Sequence, residues 1–233
     1  MDFGFWIRLR RYPLAALALC ALLPALAAGE TNLVRNGAFE EADGPQPGQP
    51  ACWDQPDGLG VKWVEAPVDE GEPKRSRAIR MDTAVSEKAM VAQWRQAGIT
   101  NWDIPKAADN AVAETYGLSF YSDAIPVVTG QAYRVTFDFK GASGGAKVWV
   151  RGWGQFQRER RRRYETIVNC RVPDGKWHTL SQVFYPTKLR PEVTEMKVML
   201  YAYYPPGIYW FDNVRIEPIS AETYEQEKGE SRR

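Results

Sequence analysis

The segment at positions 147–156 carries the residues whose types and spacing best suit ligand binding. Its even positions are all Val, Gly or Phe. Its odd positions are Lys147, Trp149, Arg151, Trp153 and Gln155. Successive side chains of a β-strand point to opposite faces, so the odd residues are expected to share one face. Tryptophan rings can stack on an apolar ligand surface, while Lys, Arg and Gln can hydrogen-bond the polar groups around it.

A second segment, 196–203, repeats this pattern. Its apolar parity is Met196, Val198, Leu200 and Ala202, and its other parity is Lys197, Met199, Tyr201 and Tyr203. If both segments lie in one sheet, its outer face carries an aromatic platform with hydrogen-bonding groups around it. Such a platform suits a sugar, because the apolar face of a pyranose stacks on an aromatic ring. The predicted carbohydrate-binding residues are Trp149, Arg151, Trp153, Gln155, Lys197, Tyr201 and Tyr203.

Three interpretations of this face are open. It can be an exposed platform for a glycan, or a docking surface for another protein. It can also be roofed by the polar, irregular segment 96–114, with Trp94 and Trp102 packing on Trp149 and Trp153. A β-bulge at one of the glycines beside Trp153 would turn that side chain inward.

A basic run follows the first aromatic segment, with five Arg and one Glu in positions 158–163. The run lies between two predicted strands, so it is interpreted as the tip of a hairpin, where charge also discourages edge pairing. The alternative is a grip for an acidic polysaccharide, such as a uronate or a sulfated glycan. A nucleic-acid site is disfavoured because no wider basic face accompanies the run.

Catalytic signals are weak. The chain has one histidine, His178, next to Trp177, and no nucleophile motif lies near it, so we expect a structural role. Zinc-ligand spacings, phosphate loops and nucleophile elbows are absent from the sequence. The sequence therefore predicts a non-catalytic protein, and a polysaccharide lyase or hydrolase is the weaker alternative.

Short alternating segments separated by Gly, Pro, Asp and Asn predict an all-β chain. The predicted strands are 33–40, 61–65, 77–81, 90–94, 118–121, 133–140, 147–156, 164–170, 178–184, 196–203 and 209–216. A short helix is expected at 107–114. The residues after Pro218 are polar and charged, which predicts a frayed helix or a disordered tail.

The N-terminus has the features of a signal peptide. Arg8, Arg10 and Arg11 precede a ten-residue apolar run, which Pro24 ends before the small residues of 25–28. The run is too short for a comfortable membrane span of about 20 residues, although an uncleaved anchor is the alternative. The predicted organisation is a signal peptide at 1–28, one domain at 29–218 and a polar tail at 219–233.

Export and charge limit the partners. Cleavage removes three Arg and one Asp, which leaves 27 basic and 28 acidic residues. A nearly neutral domain gives no general reason to bind nucleic acid or to insert in a membrane. We therefore expect a secreted, periplasmic or cell-envelope protein, with its oligomeric state open.

Cysteine count agrees with export. Once Cys20 leaves with the leader, Cys52 and Cys170 remain, and two cysteines in an oxidising compartment favour one disulfide. The alternative is two buried thiols.

Four segments resemble the carbohydrate-binding modules of families four and nine. The segment 32–40, NLVRNGAFE, is similar to their opening strand, and 210–216, WFDNVRI, is similar to their closing strand. The segments 130–137, GQAYRVTF, and 175–180, GKWHTL, match in character and order. The resemblance implies an antiparallel two-sheet β-sandwich, the galactose-binding-like jelly roll, with its first and last strands side by side. Phe39, Val214 and Ile216 would then share one core.

The resemblance also implies a ligand and a metal. It suggests a secreted, non-catalytic protein that binds a polysaccharide or glycan and has no organic cofactor. The alternative is a structural or adhesion module for protein–protein contact in the cell envelope. Glu40 and Asp212 stand where the family holds a structural calcium, which would need backbone or water oxygens as further ligands. Otherwise Asp212 caps a bulge and Glu40 is a solvated edge residue.

Overall fold

The computed structural model describes residues 32–44, 46–69, 75–99, 104 and 106–230. The predicted signal peptide and Trp102 lie outside these residues. In the described part of the chain there are two α-helices, α1 (Glu87–Ala97) and α2 (Ala221–Glu230), and a 3-10 helix at Val112–Glu114. The strands are β1 (Ala42–Asp43), β2 (Gln46–Pro50), β3 (Val61–Glu65), β4 (Arg77–Asp82), β5 (Leu118–Tyr121), β6 (Ile125–Pro126), β7 (Ala132–Gly141), β8 (Ala146–Phe156), β9 (Glu159–Asn169), β10 (Trp177–Phe184), β11 (Val193–Ala202) and β12 (Ile208–Ile219).

Two antiparallel sheets pack face to face, which confirms the predicted β-sandwich. The front sheet has the strand order β5-β11-β8-β9, with β6 also paired to β11, and the back sheet has the order β10-β7-β12-β4-β3. Alternate residues of both sheets are buried in one shared core, including Val150 and Val198 from the front and Phe137 and Phe211 from the back. The opposite parity of each strand faces outward.

Nine of the eleven predicted strands are present, apart from shifts at their ends. The strand predicted at 33–40 is wrong, because the chain turns there with positive φ at Asn36 (49°) and Phe39 (55°). This segment still lies beside β12, since the backbone N–H of Leu33 donates to Ile216 O at 2.8 Å. Phe39 and Ile216 are fully buried in the same core, as predicted, and so is Val214.

The strand predicted at 90–94 is also wrong, because these residues belong to α1. Ser86 caps the helix by accepting a hydrogen bond from Ala89 N, and Gly98 ends it with a left-handed φ of 71°. Met90 and Trp94 are one turn apart and form the buried side of the helix. The helix expected at 107–114 is reduced to the 3-10 turn at Val112–Glu114.

The C-terminal residues form α2, so the helix rather than the disordered tail is found over 221–230. Ser220 begins it by accepting a hydrogen bond from Thr223 N at 3.0 Å. Tyr224 is buried and makes an edge-to-face contact with Tyr185 at 5.5 Å between ring centroids. Among the described residues, neither helix is long and apolar enough to span a membrane.

The predicted disulfide is corrected by the structure, in which Cys52 and Cys170 are both free. The two cysteines lie near different points along β11. The residues after Cys52 hydrogen-bond to a segment that itself bonds to β11 at Val198, whereas Cys170 lies at the strand end whose pairing with β11 is at Ala202. Four residues of a strand span about 13 Å. A disulfide requires Cα atoms within about 7 Å, so the two thiols are at different places in the core.

Candidate functional site

A groove of about 660 Å³ lies on the outer face of the front sheet. Strand register brings its floor together: Met199 of β11 is paired with Tyr121 of β5 on one side and Trp149 of β8 on the other. The next row joins Tyr201 to Lys147. The groove is lined by Asp54, Gln55, Asp57, Val61, Trp94, Gly98, Ile99, Ile104, Tyr116, Gly117, Leu118, Ser119, Phe120, Tyr121, Lys147, Trp149, Arg151, Met199, Tyr201 and Tyr203.

Arg151 organises the floor of the groove. Its Nη1 donates to Tyr121 Oη at 2.9 Å, and its guanidinium carbon lies 4.7 Å from the Trp149 ring centroid. The charged group therefore fixes two aromatic side chains relative to each other. Trp149 itself is only partly buried.

Two stacked tyrosines form one end of the groove. Tyr201 and Tyr203 lie 5.5 Å apart with their planes inclined by 18°. Tyr201 Oη donates to Tyr116 O at 2.9 Å, which anchors the ring, and Lys147 Nζ lies 4.7 Å from the Tyr203 ring centroid. Tyr116 stands at the rim and is 57% exposed. Burial, followed by the neighbouring Tyr203, raises the pKa of Tyr201, so its hydroxyl stays a hydrogen-bond donor at neutral pH.

The wall opposite this end contains two carboxylates in different environments. Asp57 is buried, and its Oδ1 accepts backbone N–H bonds from Leu59 and Gly60 at 2.7 Å each. Burial raises its pKa, and these hydrogen bonds oppose the effect. Asp54 stands at the rim, where the desolvation of its carboxyl raises its pKa and the charge of Lys197 lowers it.

The segment predicted to roof this face forms a wall of the groove instead, in its described residues. Trp94, Ile99 and Ile104 line the groove together with Trp149. The Trp94 side chain hydrogen-bonds Asp57, so it is tied to the wall. The predicted packing of Trp102 lies outside the described residues.

Trp153 and Gln155 lie beyond the groove, on the same outer face of β8. Register shifts occur opposite Trp153 in both neighbouring strands, with an extra residue in β9 and another in β11. The alternation of β8 is therefore preserved, and Trp153 stays on the outer face, with the Arg160 guanidinium carbon 5.4 Å from its ring centroid. Five of the seven predicted binding residues thus share the immediate surroundings of the groove: four line it, and Lys197 pairs in register with Arg151.

The residues predicted to hold calcium have other partners. Arg75 Nη1 contacts Asp212 Oδ2 at 3.2 Å and Asp138 Oδ2 at 2.5 Å, so a guanidinium takes the position that a cation would take. The Glu40 carboxylate accepts from the Ser76 hydroxyl. The described residues contain no group of three or more His, Cys, Asp or Glu side chains that could hold a metal. They do not fit a calcium ion at Glu40 and Asp212, and no step below uses one.

His178 lies away from the groove, on the back sheet. Its Nε2 is 2.9 Å from both carboxylate oxygens of Asp174. The backbone N–H of Lys176 and then His178 lower the pKa of Asp174. The residue therefore ties a turn to β10, which agrees with the structural role expected for it.

Sequence reasoning placed Trp94 and the segment 96–114 at this face, but it did not include Tyr121, Asp54, Gln55 or Tyr116 in the site. Tyr121 was within reach, because the alternation of the predicted strand 118–121 places it outward. Asp54, Gln55 and Tyr116 belong to loops, where no periodicity relates a residue to a face.

No family model matches the chain, and no curated protein matches it. Among solved structures, a family 61 carbohydrate-binding module in complex with β-1,4-galactotriose is similar, with a TM-score of 0.43, 15% identity and coverage of 81% of this chain and 99% of that chain. A xylan-binding domain of the CBM22 type from Paenibacillus barcinonensis has a TM-score of 0.42, 13% identity and coverage of 82% and 97%. An arabinose-bound α-L-arabinofuranosidase has a TM-score of 0.48 and 12% identity, and covers 83% of this chain and 27% of its own. At these scores, the function proposed below depends on this chain's own residues.

Proposed function

We propose that this chain is an exported, non-catalytic glycan-binding protein whose ligand lies in the groove on the front sheet. The observation that carries the proposal is the arrangement of Trp149, Tyr201 and Tyr203 along a groove of about 660 Å³. Small-ligand sites have volumes of about 300–1,000 Å³ and combine aromatic walls with a few polar groups.

The groove offers both kinds of contact that a sugar needs. Trp149 and the stacked pair of Tyr201 and Tyr203 supply ring faces for the C–H side of a pyranose. Lys147 and Arg151 supply donors for its hydroxyls, and neither has a carboxylate within 3.5 Å among the described residues. Lys147 Nζ and Arg151 Nη2 therefore remain available to a ligand, whereas Arg151 Nη1 donates to Tyr121 Oη.

Binding is favoured over hydrolysis by the state of the two groove carboxylates. A glycosidase uses one carboxyl as an acid and a second as a base or nucleophile. Asp57 is unsuited to either role, because its oxygens accept the backbone N–H groups of Leu59, Gly60 and Val61. Asp54 alone then faces the groove.

A variant pair tests the proposal. Trp149→Ala removes a ring from the floor of the groove, whereas Trp177→Ala removes a buried ring from the back sheet. In affinity gel electrophoresis against a panel of polysaccharides, we expect Trp149→Ala to weaken retention by at least about tenfold, the loss of one stacked ring. Trp177→Ala should keep the wild-type retention at temperatures where it is folded. Equal retention of wild type and Trp149→Ala, or no retention by any polysaccharide, would remove the groove as the site.

Protein docking is the alternative for the same face, and the same preparation tests it. If cross-linking of the native envelope fraction captured a protein through Tyr116, at the rim, while no polysaccharide bound, the structural or adhesion function would replace this one.

A further inference from the structure

The outer face of the front sheet continues past the groove as an arm, which we define as Trp153 and Gln155 of β8 with Arg160 and Arg162 of β9. The pairs Trp153–Arg162 and Gln155–Arg160 are in register across the hairpin. From Trp149 to Gln155 the strand rises by about 20 Å. The groove and the arm together are therefore long enough for a chain of several sugar units.

The arm repeats the chemistry of the groove floor. Arg160 lies over the Trp153 ring at 5.4 Å, as Arg151 lies over the Trp149 ring at 4.7 Å. Arg160 and Arg162 are about half exposed, with 56% and 48% of their side-chain surface accessible. A ligand that crosses from groove to arm therefore meets a second ring with a second set of donors.

Positive charge exceeds negative charge along this face. Its basic residues are Lys147, Arg151, Arg160, Arg162 and Lys197, and its acidic residues are Asp54, Asp57, Glu165 and Glu195. Glu165 is shared, since Arg151 Nε lies 3.8 Å and Arg162 Nε 3.6 Å from its Oε2. Glu165 lies within hydrogen-bond distance of neither guanidinium, so the Arg162 fork is available to a ligand anion, whereas Arg151 already donates from Nη1 to Tyr121 Oη.

On this face Arg160 is itself paired, since its Nε donates to Glu195 Oε1 at 2.6 Å and its Nη2 contacts the same oxygen. Two other arginines of the hairpin point elsewhere. Arg161 donates to Glu159 Oε2 from Nε at 2.9 Å and from Nη2 at 2.6 Å. Arg163 donates to Glu192 Oε1 at 2.7 Å and lies over the Phe156 ring. Strand alternation therefore divides four of the five arginines into Arg160 and Arg162 on the Trp153 face and Arg161 and Arg163 away from it. Of the first two, Arg162 has no carboxylate within hydrogen-bond distance among the described residues.

From this division we infer that the ligand is an anionic glycan, with uronate carboxylates or sulfate esters, that runs from the groove along β8 onto the arm. Its rings stack on Trp149 and Trp153, and its anionic groups meet the Arg162 guanidinium and the Arg160 Nη1, which the pair with Glu195 leaves free. Planar, bidentate recognition of carboxylate and sulfate is the task for which Arg is suited. The inference rests on the proposed function, since it names the ligand class of the same groove.

The first test changes the ligand and leaves the protein intact. Isothermal titration of the purified wild type with oligogalacturonate, its methyl ester, a sulfated oligosaccharide and a neutral β-galactan or xylan oligosaccharide separates the two anion sources from neutral sugars. We expect at least one of the two anionic ligands to bind about tenfold or more tightly than the methyl ester and the neutral oligosaccharides. The advantage should shrink as salt rises from 50 to 500 mM, because charge contacts are screened.

The second test changes the arm. Arg160→Gln/Arg162→Gln should lose most of the preference for the anionic ligand and keep its affinity for neutral oligosaccharides. Arg161→Gln, on the opposite parity, is the matched control and should keep the preference. Trp149→Ala should weaken every ligand.

The outcomes separate the two proposals. Neutral glycan binding that depends on Trp149, with no gain for either anionic ligand, overturns the anionic class and leaves the proposed function standing. Binding of no glycan at all overturns both. Equal binding of a single-stranded oligonucleotide, independent of Trp149, would show charge attraction without a glycan site and would also overturn the inference.

Discussion

The two outer faces of the sandwich contain the same pair of side chains in different surroundings. On the back sheet, the Arg75 guanidinium carbon lies 4.3 Å from the Trp177 ring centroid, and on the front sheet that of Arg151 lies 4.7 Å from Trp149. Trp177 is 7% exposed, whereas Trp149 is partly exposed in the groove. The tryptophan and arginine pair does not by itself distinguish a binding site from a packed surface.

The difference comes from what the chain places over each face. On the back sheet, residues 66–69 form a crossing segment, in which Ala66 packs on Trp177 and Asp69 accepts from Lys140 Nζ at 2.5 Å. Arg75 then binds both Asp138 and Asp212, so cations and carboxylates are matched within the protein. On the front sheet the wall residues border a groove and leave Lys147 without a carboxylate partner among the described residues. Closure by paired charge marks the structural face, and excess charge beside exposed rings marks the functional one.

Removal of the Arg75 guanidinium from the back face should have the largest effect on stability. Arg75→Ala leaves Asp138 and Asp212 buried beside each other without their guanidinium, which we expect to cost about 3–5 kcal/mol of unfolding free energy. Urea denaturation measures it. Arg35→Ala is the control, because its pair with Asp123 is exposed on both sides and should contribute less than about 1 kcal/mol. Similar losses in both variants would contradict the view of the back face as a charge-closed surface.

The two tryptophans should separate stability from binding. Trp177→Ala opens a cavity under the crossing segment and should lower the free energy of unfolding by about 3–4 kcal/mol. Trp149 is partly exposed, so Trp149→Ala should lower it by about half as much. Thermal unfolding of both variants gives the comparison. A larger loss for Trp149→Ala than for Trp177→Ala would mean that the front face is the packed one.

Protonation of the back face should appear in the pH dependence of stability. Burial raises the pKa of Asp212 from 3.8 to about 6, a change that the Asn213 N–H and Arg75 oppose and Asp138 reinforces. The folded state therefore binds more protons than the unfolded state between about pH 4 and 6, so stability falls as pH rises through this window. At neutral pH the free energy of unfolding is therefore lower by up to about 3 kcal/mol than it is below pH 4.

Comparison of wild type with Asp212→Asn, by urea denaturation at several pH values, isolates this contribution. The variant should lack the fall between pH 4 and 6. An unchanged slope would assign the effect to other carboxylates and weaken the account of the back face.

The smallest expected effect is on the front face. Lys147→Gln removes a cation that lies over Tyr203, an exposed contact of about 0.5–1 kcal/mol. Differential scanning calorimetry should therefore detect only a small shift in Tm. A loss comparable to that of Arg75→Ala would show that Lys147 is part of a closed network rather than a group available to a ligand.

Strand alternation is why much of the front face could be predicted from sequence. The parity of β8 and β11 places Trp149, Arg151, Tyr201 and Tyr203 outward, and the structure has them so. Apolar parity likewise gave Met196, Val198, Leu200 and Ala202 as core, and all four are buried. These inferences succeed because a period of two is a local property of the backbone.

The helix α1 and the closure of the back face could not be predicted from the periodicity of the sequence. Met90 and Trp94 fit a strand or a helix equally over five residues, and only the cap at Ser86 and the stop at Gly98 favour the helix. On the back face Arg75 meets Asp138 and Asp212, residues 63 and 137 positions away. No local pattern predicts which distant residues such a side chain meets.

The account depends most directly on Trp149 being reachable by solvent and covered by a glycan. Hydroxyl-radical footprinting of the native protein, read by mass spectrometry at Trp149 and Trp177, measures both properties together. We predict that Trp149 is oxidised well above Trp177 in the free protein, and that a saturating glycan ligand protects Trp149 without changing Trp177. Equal protection of both tryptophans before any ligand is added, or oxidation of Trp149 that a bound glycan leaves unchanged, would contradict it.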